Sequence, residues 1–262
     1  MMIVGAVLGF IATVITGSPA IGFVAGALGG LCLSLVFGAL CLLLLSNQVA
    51  TGLGLTLFGL GLSALLGQDY TQMRTPSSPR WEWYGLNEIP VLGPIFFNQH
   101  PVVYLSLFAV IGVTWFLAKT RRGLILRAVG ENAEAAHALG YSVLQTRFAA
   151  IAFGGAAAGL GGAFLSLVIV PQWTDGMTSG RGWIALAIVV FASWKPGRVL
   201  LGAYLFGGVS VLQLNLQAAG IAIPVELLSM SPYLITILVL VLLSADKAQA
   251  PGSLGRIFHA SG

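Results

Sequence analysis

Long apolar runs without a charged residue alternate along this chain with short polar connections. They are too continuous for the alternating ten-residue strands of a membrane barrel, so they predict helices. We place these helices at 2–16, 20–45, 49–67, 101–118, 148–170, 182–194, 199–219 and 231–245. Gly17-Ser18-Pro19 ends the first run, and Ser46-Asn47-Gln48 separates the second from the third. A polar stretch, 68–100, holds four prolines and the aromatic group Trp81, Trp83 and Tyr84. A charged segment, 119–147, parts the fourth run from the fifth. The run at 182–194 would make a helix about 20 Å long, short of the roughly 30 Å hydrocarbon core, and reads as a half-helix inside a bundle.

Composition turns these helices into membrane spans. Apolar residues make up 57% of the 262 and charged residues 8%, against about 25% charged in a soluble domain. The fold class is therefore all-α, a polytopic transmembrane bundle of about eight spans. It forms one transmembrane domain, 1–245, with a polar C-terminal tail, 246–262. Glycine is abundant at 35 residues. Gly22, Gly26 and Gly30 form one stripe, and Gly155 and Gly159 form another beside Ala158 and Gly162. Such small-residue stripes let helix backbones approach closely.

Charge sets the orientation. Alternating spans put Lys119, Arg121, Arg122, Arg127, Arg147, Lys195, Arg198, Lys247 and Arg256 on one side. Arg74, Arg80 and Arg181 fall on the other. The side rich in Lys and Arg faces the cytoplasm, so segment 119–147 and the C-terminus are expected inside. Loop 68–100 is expected outside, with its aromatics at the headgroup boundary. The net charge of +4 is thus a feature of membrane orientation, and nucleic acid is not expected as a partner. The chain opens inside an apolar run with no basic stretch ahead of it, unlike a cleavable signal peptide.

The spans carry little chemistry. Histidine occurs at His100, His137 and His259, all in connections, and no apolar run holds an Asp, Glu, Lys, Arg or His. No metal site or catalytic residue is predicted, so an enzyme is not expected. Cys32 and Cys41 lie about 13 Å apart along one helix, too far for a disulfide. A proton-driven transporter usually needs an ionisable group in the membrane. Sodium coupling through backbone carbonyls does not, so a secondary transporter or channel stays as the alternative reading. Candidate passage residues are the neutral polar side chains near span ends: Asn47, Gln48, Thr51, Thr56, Ser166, Gln213, Asn215 and Gln217. The competing role for each is a hydrogen bond between helices. Asp175 and Arg181 are expected to brace the short sixth helix.

The segment 119–147 is the most informative. Gly130 is expected to break the preceding helix, and Asn132 to cap a new one over 133–139. Glu134 falls in its first turn and His137 in its last, both favourable to the helix dipole. Gly140 suits the position just past the end, where φ is positive. The small face of Ala133, Ala136 and Gly140 is expected to seek a groove on a partner.

Glu134-Ala135-Ala136, followed after three residues by Gly140, resembles the signature of permease subunits of ABC importers. The run 121–140 resembles the branch serving branched-chain amino acids, ribose-type sugars and nucleosides. Residues 175–187, Ser46–Leu53 and Trp194-Lys195-Pro196 resemble its nucleoside and simple-sugar subgroup. The Leu-Pro that closes the broader signature is absent near Phe153, as is usual in this branch. The resemblance implies a cytoplasmic ABC ATPase that binds ATP and Mg, no cofactor in this chain, a second permease, usually a different chain, and an extracytoplasmic substrate-binding lipoprotein. It implies a site in the prokaryotic inner membrane and ATPase coupling through Arg127, Glu131, Glu134, Ala135, Ala136 and Gly140. It also implies about one more helix and a short re-entrant segment ahead of Met1, so Met1 is expected to be internal to a permease of about nine spans.

Overall fold

The computed structural model describes residues 1–76, 81–82, 97–178, 180–220 and 250–256, with Met230, Leu234, Ile237, Leu238 and Phe258. The helices are α1 (Met2–Thr16), α2 (Pro19–Gly38), α3 (Gln48–Gly67), α4 (Pro101–Lys119), α5 (Arg121–Glu131), α6 (Ala133–Ala138), α7 (Val143–Phe164), α8 (Arg181–Phe191) and α9 (Pro196–Ala218). Among the described residues, five stretches are long and apolar enough to cross a bilayer: Pro19–Leu43, Gln48–Tyr70, Pro101–Lys119, Val143–Ile169 and Pro196–Ala218. α1 and α8 are apolar but shorter. The expected span at 231–245 falls almost wholly outside the described residues. The architecture is an all-α membrane bundle.

Local chemistry explains most ends. Gly17 closes α1 with φ 69°, its N–H bonded to the Thr13 carbonyl at 2.8 Å. Pro19 opens α2 at a position where a missing N–H costs nothing. The Asn47 side chain accepts from the N–H groups of Val49 and Ala50, both at 3.0 Å, and caps α3. α2 and α7 each run on into a π-helical turn, Ala39–Leu43 and Leu165–Ile169. Gly130 does not break α5, which continues to Glu131. The break falls instead at Asn132, whose extended backbone (φ −145°, ψ 100°) ends one helix and starts the next.

The core lies where α1, α2 and α7 cross, and it is built from small residues. A Cβ on Gly5, Gly30 or Gly159 would run into backbone of the facing helices. Gly5 meets Gly159, Gly30 meets Gly155 and Gly159, and Gly162 meets Met2 and Ala6. Around this crossing Val4, Ala6, Val7, Phe10, Leu33, Ala163 and Leu167 are buried. The Ser166 hydroxyl donates to the Ala6 carbonyl at 2.9 Å. That residue ties α1 to the end of α7 and is fully buried.

Two connections meet at one end of the bundle. Gln172 donates to the Thr71 carbonyl at 3.3 Å, and Arg74 pairs with Gln172 through the backbone. Trp173 is driven into the core against Gly67, where any side chain would collide with its indole. Nearby, His100 caps α4 by accepting from Val102 N–H at Nδ1 (3.3 Å), between the rings of Phe23 and Phe164. Burial lowers its pKa below the ordinary histidine value, which favours the neutral, accepting ring. A short antiparallel pair, β1 (Trp81–Glu82) and β2 (Asn98–Gln99), joins the two ends of the polar stretch. Trp83 and Tyr84 lie outside the described residues.

Gly159→Val places a branched side chain against the Gly26 carbonyl and the Gly30 backbone. Overpacking of this kind costs about 1–3 kcal/mol. The detergent-solubilised protein should melt several degrees lower than wild type. Gly54→Ala, which meets open space, should melt with wild type.

Candidate functional site

The charged segment folds into an arm at one end of the bundle. α4 stops at Thr120, whose hydroxyl donates to the Phe116 carbonyl at 2.7 Å and accepts from Gly123 N–H at 3.0 Å. One side chain therefore ends α4 and starts α5. Gly123 sits directly on the Phe116 carbonyl and Leu117 backbone, where no Cβ fits. This elbow brings α5 tightly against the end of α4, and α5 also packs on α7.

α6 follows as an independent short helix. Asn132 Oδ1 accepts from Ala135 N–H at 3.0 Å. At the other end Gly140 adopts φ 84°. Its N–H bonds to the His137 carbonyl at 2.8 Å, and Tyr141 N–H bonds to the Ala136 carbonyl at 3.1 Å. These two bonds make a Schellman closure. Cap and closure fall on the two residues that the sequence nominated.

The exposed face differs from the expectation. Ala133 and Ala136 turn inward and pack with Val129 and Val143, so Ala136 is not available to a partner. The reason is volume: only a small side chain fits where α6 folds back over the start of α7. Glu134, Ala135, Ala138, Leu139 and Gly140 point outward, and Leu139 is 76% exposed. Arg127 and Glu131 are exposed on α5 beside it. A cavity of about 850 Å³ opens between α4, α5 and α7, lined by Gly112, Phe116, Arg122, Tyr141, Gln145 and Phe153.

The passage candidates are not gathered in one place. Asn47 is committed to its cap, and Thr51 shares a 2.8 Å hydrogen bond with Ser46. Gln48 lies beside them at the start of α3, which packs on α1 and α2. Gln213, Asn215 and Gln217 lie near the end of α9, which packs on α8 and α4. Thr56 bonds its hydroxyl back to the Gly52 carbonyl. α8 begins at Gly180 with φ 75° and no side-chain cap, and among the described residues no brace from Asp175 or Arg181 is seen. The elbow glycine, Gly123, and the buried Trp173 escaped the sequence reading. Nothing in local periodicity marks a glycine that faces another helix or a tryptophan in a loop that turns inward.

The fold is a multi-pass helical membrane bundle with a short helix, capped at both ends, carried by α5. Comparison names its family. Residues 1–243 match the family model described as branched-chain amino acid transport system / permease component, and the chain belongs to that family. It is 41% identical to a putative glucose ABC transporter permease protein, TsgC13, of Haloferax volcanii, over 92% of this chain and 80% of that one. It is 34% identical to the nucleoside ABC transporter permease protein NupC of Lactococcus lactis, over 89% and 76%. It is 33% identical to the guanosine ABC transporter permease protein NupQ of Bacillus subtilis, over 85% and 72%. No solved structure matches the chain. The protein is thus the membrane subunit of an ABC importer, a transport subunit in a multi-pass membrane protein family.

Replacing Asn132 by alanine removes the α6 cap, at a cost of about 1 kcal/mol. Hydrogen exchange of the α6 amides should accelerate about five-fold, with exchange in α2 and α7 unchanged.

Proposed function

We propose that this chain forms the path by which a neutral polyhydroxylated solute, a nucleoside or simple sugar, enters the cell. A partner ATPase drives the movement by pulling on α6. The observation that carries this reading is α6 itself: a helix fixed at both ends by Asn132 and Gly140, with its outer face exposed. Glucose, nucleoside and guanosine in the names of the relatives support the substrate class. The uncharged apolar runs support a passage that binds weakly and draws its energy from elsewhere.

The arm explains how a pull would travel. A groove on the ATPase takes Glu134, Ala135, Leu139 and Gly140, flanked by Arg127 and Glu131. ATP, held with Mg by the ATPase, closes that partner and draws two such helices together, one from each permease of a pair. Force passes from α6 through α5 and the Thr120–Gly123 elbow to α4, and through Tyr141 and Ser142 to α7. Spans joined this way rock as bodies between inward and outward access. A substrate-binding lipoprotein delivers solute to the opposite face. The contacts of Ser253 and Phe258 with α5 and α6 support a C-terminus on the same, cytoplasmic, side.

Orientation is testable with single cysteines at Ser78 and Gln145 in a chain lacking Cys32 and Cys41. An impermeant thiol reagent applied to intact cells should label Ser78→Cys and spare Gln145→Cys; the reverse pattern would overturn the topology. Gly140→Val forces a branched residue into positive φ, at about 1–3 kcal/mol. The variant should insert normally yet lose uptake of guanosine or glucose and substrate-stimulated ATP hydrolysis. Normal uptake would remove α6 from the coupling role.

A further inference from the structure

The C-terminal segment returns to the arm, more than a hundred residues away in sequence, and grips it through several bonds. Ser253 N–H donates to the Gly130 carbonyl at 2.9 Å. The Ser253 hydroxyl accepts from Ala133 N–H at 3.2 Å. The two bonds fall on either side of Asn132, the break between α5 and α6. They satisfy two backbone groups that this break leaves without helical partners, since a first-turn N–H has none. Gly252 lies against the Glu131 carbonyl, where a Cβ would collide. Further on, Phe258 packs into the small cluster of Val129, Ala133, Ala136 and Val143. Its ring meets His137 edge-on, with centroids 5.4 Å apart. The Arg147 guanidinium lies 6.0 Å from the Phe258 ring centroid and donates to the Arg256 carbonyl at 3.3 Å. The segment is itself folded by turns, Leu254 N–H to Pro251 carbonyl and Arg256 N–H to Ser253 carbonyl.

From these contacts we infer that residues 251–256, with Phe258, are a strap that fixes the angle between α5 and α6, with Ser253 and Phe258 as positioning residues for coupling. The proposal rests on α6 being the coupling helix. α6 has only six residues, and a helix that short is marginal on its own in water. A joint of one extended residue, Asn132, would swing under load. The strap crosses the joint and fills the inner side of α6, while the outer face of Glu134, Ala135, Ala138 and Leu139 stays exposed. It therefore backs the helix without covering its docking face. It travels with the arm as one body and converts the pull of the partner into movement of α4 and α7 instead of bending at Asn132.

The test uses the assembled importer in proteoliposomes, with guanosine or glucose, whichever wild type carries, as the probe. Ser253→Ala combined with Phe258→Ala removes one hydrogen bond and the packing of the Phe258 ring on the cluster, His137 and Arg147. Solute moved per ATP hydrolysed should fall about ten-fold, with KM for the solute unchanged. Ser253→Thr with Phe258→Tyr, which keep the acceptor and the ring, should restore it. A segment that merely aids folding would lower the amount of inserted protein and leave solute per ATP unchanged, and that result overturns the proposal. A second arm holds the strap shut. A Cβ on Gly130 would lie 3.9 Å from Pro251 Cβ, within the usual span of a disulfide. In a chain lacking Cys32 and Cys41, oxidised Gly130→Cys/Pro251→Cys should carry solute within two-fold of its reduced form. Loss of uptake on oxidation would mean that the strap must open, and the proposal fails. Gly140→Val, measured alongside, separates the two readings. If it is defective while the strap double variant is normal, the strap alone is wrong. If it is normal, the coupling helix is wrong and the strap falls with it.

Discussion

The close approach of three backbones, α1, α2 and α7, is the constraint on which the rest of the structure depends. In lipid there is no hydrophobic gain from pressing helices together, because the acyl chains are as apolar as leucine. What remains is dispersion between well-fitted surfaces and the occasional interhelical hydrogen bond. Gly5, Gly26, Gly30, Gly155 and Gly159 permit that fit by having no side chain to keep the helices apart. Ser166 adds a bond from inside the contact to the Ala6 carbonyl. Other described elements join this unit directly or in sequence: α3 on α1 and α2, α5 and α6 on α7, α4 on α5, and α9 on α4.

Much of this was legible in the sequence, for a physical reason. Membrane helices satisfy their own backbones, so an apolar run between polar turns reports its helix without knowledge of its neighbours. The ends of α1 and α4 follow from the runs nearly to the residue. The same holds for the Gly22-Gly26-Gly30 stripe and for the Asn132 cap and Gly140 closure, which are local chemistry. The failures share the opposite property. The inward turn of Trp173 and the contact of Ser253 with Gly130 depend on partners distant in the chain. Gly130 is the instructive case. Glycine is a weak helix former, yet α5 runs through it because α5 is held from outside, by α4 and α7 on its flanks and Ser253 at its end.

The candidate site divides in the same way. The places of Glu134 in the first turn and Gly140 at the closure were readable because they depend on position within one short helix. The direction of that helix was not, because Ala133 and Ala136 could face either a partner or their own chain. The alanines suit the inner face, where volume is limiting, and the longer Glu134 and Leu139 face out. Passage residues were the least legible. Hydroxyl and amide groups serve equally as caps, as ties between helices and as contacts for solute, and Asn47, Thr51 and Ser166 are occupied in the first two ways.

The elbow at Thr120 and Gly123 has a bearing on how this arm can vary. With α5 locked onto the end of α4 and running unbroken to Glu131, it acts as a spacer of fixed phase. Each residue added to or taken from it would rotate everything beyond by about 100°. A single insertion would swing Glu134 and Leu139 off the face they now occupy. Length changes that preserve the phase come in near-whole turns, about three or four residues together. The arm is therefore far less tolerant of small insertions and deletions than an exposed, charged connection would suggest. Its geometry works as a ruler, and its graduations are helical turns.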